Sequence, residues 1–221
     1  MSNTYFNPFY GTGWADSPST ATPITAASLT NYDTGMNAIQ GINANGPAAQ
    51  GYAGWTYDPH ILPAGIAGVA IPNAGVAFLW KVPVAVPVSV TTIRSYLVTA
   101  GVTLTTAQNF AGLIDSTGTK IATTADQTSA WGGATGVIDM TLTGGPFTIQ
   151  PPFCWITIVF NGTTGPSFAR TTNLSASFAN GKLTAANSKY GSILTGQNSI
   201  PASITPGSIT QTSQTYWGAI W

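Results

Sequence analysis

The chain has 221 residues, and charged residues make up only 5% of them: six Asp, four Lys, two Arg and no Glu, for a formal net charge of zero. This balance gives no electrostatic drive toward nucleic acid or an anionic membrane, so neither is expected as a partner. Hydrophobic residues at 43% and aromatics at 11% supply ample core material, so a disordered chain is excluded. The surface must then be built from Thr, Ser, Asn, Gln and Gly, and a near-zero net charge favours association.

Residues 1–22 are aromatic and turn-rich, with Tyr5, Phe6, Phe9, Tyr10 and Trp14 set among Asn, Gly and Pro. Rings at this density do not suit a solvated tail. They read as an extended anchoring arm whose rings dock onto a neighbouring surface, or one folded back on its own domain. The start, Met-Ser-Asn-Thr-Tyr-Phe-Asn-Pro, lacks a basic region and a long apolar run. The expectation is therefore a chain made and kept in a cytoplasm until assembly. No stretch reaches the length of uninterrupted apolar residues that a membrane span requires, so no membrane insertion is expected.

Residues 23–42 carry Leu29, Tyr32, Met36 and Ile39 at spacings of three, four and three. That pattern predicts a short helix with one apolar seam. Thr25 is placed to cap its start, and Pro23 stands just outside. Gly35 and Gly41 each weaken the helix by about 1 kcal/mol relative to Ala, and a helix this short is marginal alone. An outside surface must cover the seam, so the segment is read as an oligomerising element.

Residues 43–73, with Trp55, Tyr57, His60 and Ile61, show no sustained periodicity and read as an irregular connector lying against something. From residue 74 the pattern becomes β. The spacing predicts strands over 76–82 and 88–99, separated by Pro83 and Pro87, which cannot donate to a central ladder. Residues 109–115 and 120–124 flank Ser116-Thr117-Gly118-Thr119, a hairpin turn. Residues 137–142 alternate, with Ile138, Met140 and Leu142 on one face. Residues 153–160 are almost continuously apolar and predict a central strand covered on both sides. Residues 167–171 and 215–221 supply the last two strands. Residues 172–214, rich in Ser, Thr, Asn and Gly, read as a long insertion before the closing strand, and such insertions are usually functional or interface-forming. The expected fold class is mainly β: an antiparallel sandwich over 74–221 with an N-terminal arm and one short helix.

Chemistry-bearing groups are few. His60 is the single histidine, and no Gly-x-Ser-x-Gly elbow surrounds any serine, so a structural histidine is preferred to a hydrolase triad. Cys154 is the single cysteine, which excludes an intrachain disulfide, and its apolar strand predicts an inert thiol. Asp115, Asp126 and Asp139 fall on different turns and strands, and no spacing pairs two carboxylates for glycosidase chemistry. The run starting at Asp115 lacks the acidic ligand series of a calcium loop, and a zinc site fails on ligand count. Gly11-Thr-Gly13 lacks the strand and helix of a dinucleotide site. Trp131 is a candidate glycan contact if exposed and a core residue if not. No enzyme activity, cofactor or metal is expected.

Two sets of motifs carry a resemblance. Trp14-Ala-Asp-Ser-Pro leading to Thr22-Pro-Ile-Thr-Ala-Ala-Ser-Leu-Thr-Asn-Tyr-Asp-Thr-Gly-Met resembles the N-terminal motif of tailed-phage minor tail and fibre proteins, where such a run opens a trimer-forming helix. Tyr96-Leu-Val-Thr-Ala-Gly-Val-Thr-Leu-Thr, Gln108-Asn-Phe-Ala-Gly-Leu-Ile-Asp-Ser-Thr-Gly, Thr124-Ala-Asp-Gln-Thr-Ser-Ala-Trp, Asn161-Gly-Thr-Thr and Phe168-Ala-Arg resemble, in order, a jelly-roll module of minor tail and other virion proteins of actinobacterial phages. Tyr216-Trp-Gly-Ala-Ile is similar to that module's closing strand. The resemblance covers about half of the chain. It implies a non-enzymatic virion component: a homotrimer, assembled in the host cytoplasm, whose partners are other tail or capsid proteins and a host surface glycan. The chain lacks the shaft usual between helix and jelly roll, and the helix motif lacks the customary Glu. A compact attachment therefore fits better than a long fibre, and the same parts would form a capsid decoration or head-fibre trimer as readily as a tail-tip one. A free carbohydrate-binding module and a small hydrolase are the competing classes.

Overall fold

The computed structural model describes residues 46–59, 67–171 and 175–221, together with the backbone of two short N-terminal strands. The chain divides into two compact units, Met1–Asn43 and Ala44–Trp221. In the first, β1 (Tyr5–Phe6) pairs antiparallel with β2 (Gly13–Trp14), Tyr5 standing opposite Trp14. Phe9, Tyr10 and the predicted helix with Leu29, Tyr32, Met36 and Ile39 lie outside the described residues, as does His60.

The second unit is an antiparallel β-sandwich. Its strands in chain order are β3 (Gly54–Trp55), β4 (Ala67–Ala70), β5 (Ala77–Pro83), β6 (Val88–Val90), β7 (Thr92–Thr99), β8 (Phe110–Asp115), β9 (Lys120–Thr123), β10 (Gly136–Thr141), β11 (Phe147–Ile149), β12 (Phe153–Val159), β13 (Ser167–Arg170), β14 (Tyr190–Ile193), β15 (Thr210–Gln211) and β16 (Ala219–Ile220). Two short helices, α1 (Thr128–Trp131) and α2 (Ala176–Ala179), lie between strands. One sheet runs β4-β13-β7-β10, and the other runs β15-β14-β5-β12-β8-β9. The chain passes between the sheets at β4 to β5, β5 to β7, β7 to β8, β9 to β10, β10 to β12 and β12 to β13. This is jelly-roll winding. β16 also pairs with the start of β7, opposite Arg94 and Ile93, and carries β3 on its far side.

The connector reading of 43–73 is corrected here. β3 and β4 both fall inside it and both join a sheet. The insertion reading of 172–214 also gains content. β14 pairs with β5 and extends the second sheet, and β15 pairs with β14.

Three apolar clusters explain why the strands read as they do. The main core lies between the sheets and includes Phe78, Trp80, Leu97, Trp131, Met140, Ile156, Phe168 and Tyr216. Trp80 meets Phe168 edge-on at 5.5 Å between centroids, and Tyr216 lies 4.9 Å from Trp80. A second cluster joins Leu79, Ile114, Trp155 and Val159 to Ile193, Ile200, Ile204 and Ile209. Residues 193–209 thus roof the outer face of the second sheet. That roof is why β12 is buried at every position, where a strand with one solvated face alternates. β10, at the sheet edge, does alternate: Met140 is buried, whereas Val137, Asp139 and Thr141 are exposed.

Local polar groups fix the turns. The Asp115 carboxylate accepts from Thr117 N and Thr119 N, both at 2.9 Å, and closes the β8–β9 turn. Gly118 sits there at φ +98°, a conformation L side chains rarely adopt. Asn180 is fully buried and uses its whole side chain. Its Oδ1 accepts from Lys189 N (2.8 Å) and Tyr190 N (2.9 Å), and its Nδ2 donates to Ala176 O (2.9 Å) and Thr212 O (3.1 Å). This one amide ties α2, the start of β14 and the segment after β15 together.

Candidate functional site

The third apolar cluster lies on the outer face of the first sheet. Trp55, Trp217 and Ala219 form it, with Tyr52, Tyr57 and Tyr96 packed against them. Ladder register explains the placement. Asp139 stands opposite Arg94, Arg94 opposite Ala219, and Ala219 opposite Trp55, so these four share one face. Val137, 61% exposed, stands opposite Tyr96 on the same face.

Arg94 is central to this face. Its Nε and Nη2 donate to Asp139 Oδ1 (2.6 Å) and Oδ2 (2.7 Å), a bidentate pair. Its guanidinium carbon lies 4.9 Å from the Trp221 ring centroid and 5.7 Å from that of Tyr52. Tyr52 in turn meets Trp55 at 6.0 Å and Trp217 at 6.4 Å. Trp221 is left 42% exposed. The result is a cluster of tilted and edge-on aromatic rings beside one arginine, on a chain otherwise poor in charge.

A cleft of about 460 Å³ lies elsewhere, where the end of β5 and the start of β12 meet the loop before β14. Thr56, Lys81, Pro83, Pro152, Phe153, Leu183, Asn187 and Lys189 line it. Lys81 Nζ lies 3.6 Å from the Phe153 ring centroid and donates to Asn187 O at 3.3 Å. Burial lowers the Lys81 pKa, and the neighbouring positive charge of Lys189 lowers it further.

Asp115, Asp126 and Asp139 each accept local hydrogen bonds. The Arg94 hydrogen bonds hold the Asp139 carboxyl below its ordinary value, against the opposing effect of burial. Burial raises Asp115 and Asp126, but hydrogen bonds from Thr117, Thr119 and Gly118 to the first, and from Thr128, Ala107 and Asn109 to the second, leave both lowered. None of the three is a carboxyl kept protonated for acid catalysis. Among the described residues, no group of three His, Cys, Asp or Glu could hold a metal ion. Cys154 is fully buried, and burial pushes its thiol up to about 12.

The structure corrects the glycan-contact assignment of Trp131. Its side chain is 0% exposed and meets Phe168 edge-on at 5.8 Å. α1 turns the ring inward between the sheets, so no ring face is open to stack on a sugar. Of the predicted anchoring residues, Tyr5, Phe6 and Trp14 lie on the β1–β2 ladder. The outer aromatic platform was not anticipated. Its only sequence signal was the aromatic density of Tyr52, Trp55 and Tyr57 and of Tyr216, Trp217 and Trp221. No helix among the described residues is long and apolar enough to cross a membrane. No protein-family model, curated protein or solved structure matches the chain.

Proposed function

We propose that the chain is a non-enzymatic structural protein of a bacteriophage particle. In this reading it is a homotrimer, a minor tail, fibre or attachment protein held by its N-terminal unit, and its jelly roll faces outward. The observation that carries the reading is the outer face of the first sheet, where Trp221 (42% exposed) and Val137 (61% exposed) share the face of Arg94 with the half-buried Tyr52 and Tyr96, backed by the buried Trp55 and Trp217. Trp, Tyr and Arg are the residue types that dominate protein–protein hot spots. A platform of this kind suits contact with another copy better than catalysis. The aspartates at 115, 126 and 139, each engaged in local hydrogen bonds, support the same reading.

The platform gives the jelly rolls a share in holding the trimer, which the short Leu29–Ile39 seam would not hold unaided. Mass spectrometry of purified particles tests membership, and absence of the chain from them would refute the proposal. Copy number separates the tail assignment from its alternative, a capsid decoration or head fibre. A few copies per particle indicate the tail, and tens to hundreds indicate the capsid. Deleting residues 1–42 abolishes incorporation in this reading while leaving the sandwich folded. Retained incorporation would move the anchor elsewhere.

A further inference from the structure

The cleft beside β5 holds two of the chain's four lysines and no carboxylate. In a chain with so few cations this pairing is conspicuous, because like charges at close quarters cost free energy unless an anion joins them. The Arg94–Asp139 ion pair lies on the other sheet and involves neither lysine, and no carboxylate lines the cleft. The lysines are also held in place. Lys81 N donates to Lys189 O at 2.7 Å, which puts the two residues side by side on the β5–β14 edge. The buried Asn180 amide fixes Lys189 N, and the Trp155 indole N–H fixes the preceding Ser188 carbonyl at 3.0 Å.

The rest of the lining narrows the ligand. Pro83, Pro152, Phe153 and Leu183 give an apolar wall. The Asn187 amide nitrogen is turned to Thr184 Oγ1 at 3.4 Å, which leaves its side-chain oxygen as an acceptor. The Thr56 hydroxyl is already used, donating to Tyr216 O and accepting from Gly218 N. The cleft therefore offers two ammonium groups, one acceptor for a hydroxyl and an apolar surface. Its volume falls in the range of small-molecule sites, about 300–1,000 Å³. A sugar ring carrying an anionic group presents the matching set: an anion, hydroxyl donors and an apolar C–H face. A nucleic acid would need a longer basic track than two lysines.

We propose that this cleft binds an acidic saccharide, with its anionic group between the Lys81 and Lys189 ammonium groups and its ring against Pro152 and Leu183. The lining residues all come from one chain, so the inference stands apart from membership of a particle or assembly into a trimer.

The test is an NMR titration of the full-length protein at low salt with four probes. These are a glucuronate-containing disaccharide, the sugar phosphate glucose 6-phosphate, neutral cellobiose and inorganic phosphate. Saturable shifts at the amides of Lys81, Phe153, Asn187 and Lys189 are expected with at least one of the first two, and none with cellobiose. Which of the two binds decides whether the anion is a carboxylate or a phosphate. Lys189→Gln, an exposed change, should weaken binding about tenfold or more without altering the unfolding midpoint, since it removes one charge-assisted contact. Lys81→Gln should weaken binding by a similar factor and provides a second variant, although it also removes the Lys81 contacts with the Phe153 ring and Asn187 O. The proposal is overturned if neither acidic probe gives saturable shifts, if cellobiose or inorganic phosphate binds as tightly as the acidic probes, or if Lys189→Gln binds unchanged.

Discussion

Replacing Asn180 by Ala tests the packing argument at a single amide. The side chain is fully buried and makes four hydrogen bonds, two as donor and two as acceptor. Ala176 O keeps a partner after the change, because it also accepts from Asn180 N at 3.1 Å. Lys189 N, Tyr190 N and Thr212 O each lose the side-chain partner described here. A buried polar group left without a partner costs about 1–3 kcal/mol, and water entering the space left by the amide recovers part of that. The expected loss is therefore about 3 kcal/mol. Urea unfolding of the full chain, followed by the fluorescence of the buried Trp80, Trp131 and Trp155, measures it. Asn180→Asp keeps both acceptor bonds but sets a carboxylate against two carbonyls, so it should be destabilised as well. A midpoint for Asn180→Ala within about 0.5 kcal/mol of the parent would refute the reasoning, since surface changes fall in that range.

Gly118→Ala should destabilise by about 2 kcal/mol or more in the same assay, because φ is +98° and a Cβ there would stand 2.3 Å from Ile204 O, a backbone atom. Cys154 should not react with a thiol reagent at pH 8 while the chain is folded, and should release one equivalent per chain in denaturant, since its thiol is fully buried and pushed up to about 12. Asp139→Asn should cost about 0.5–1 kcal/mol at neutral pH, the range for an ion pair that is partly exposed. Asp139 has its folded pKa lowered, so its contribution is present above the ordinary carboxylate value and is lost as pH falls through the lowered one. Parent and variant stability curves should therefore converge as pH falls below the ordinary carboxylate range.

The strands with a strong hydrophobic pattern could be read directly. The unbroken apolar run of β12 reflects cover on both faces, and the alternation of β10 reflects its place at an edge. The β8–β9 turn was legible because Asp115 and Gly118 are turn residues for definite reasons, a carboxylate that accepts backbone N–H groups and a positive φ. β3 and β4 were not legible. Two and four residues of Gly, Ala, Val and Trp are too few to show a period, and they are strands only because β16 and β13 offer them edges. The same holds for β14 and β15, whose Ser, Thr and Gly content resembles loop sequence until β5 supplies a partner.

The site was less legible than the fold. Lys81 and Lys189 lie far apart in the chain and meet only because β14 pairs with β5. The aromatic platform draws on residues from both ends of the sandwich unit, joined by the short β3–β16 ladder. For Trp131 the sequence leaves both an exposed and a core position open, and a single helical turn places the ring in the core.

Light scattering of the full-length protein over a wide concentration range tests the central claim most directly. The account predicts a mass three times that of the 22.7 kDa chain, with Trp221→Ala and Arg94→Ala shifting the protein toward smaller species. A parent protein that stays at the mass of one chain throughout would contradict it.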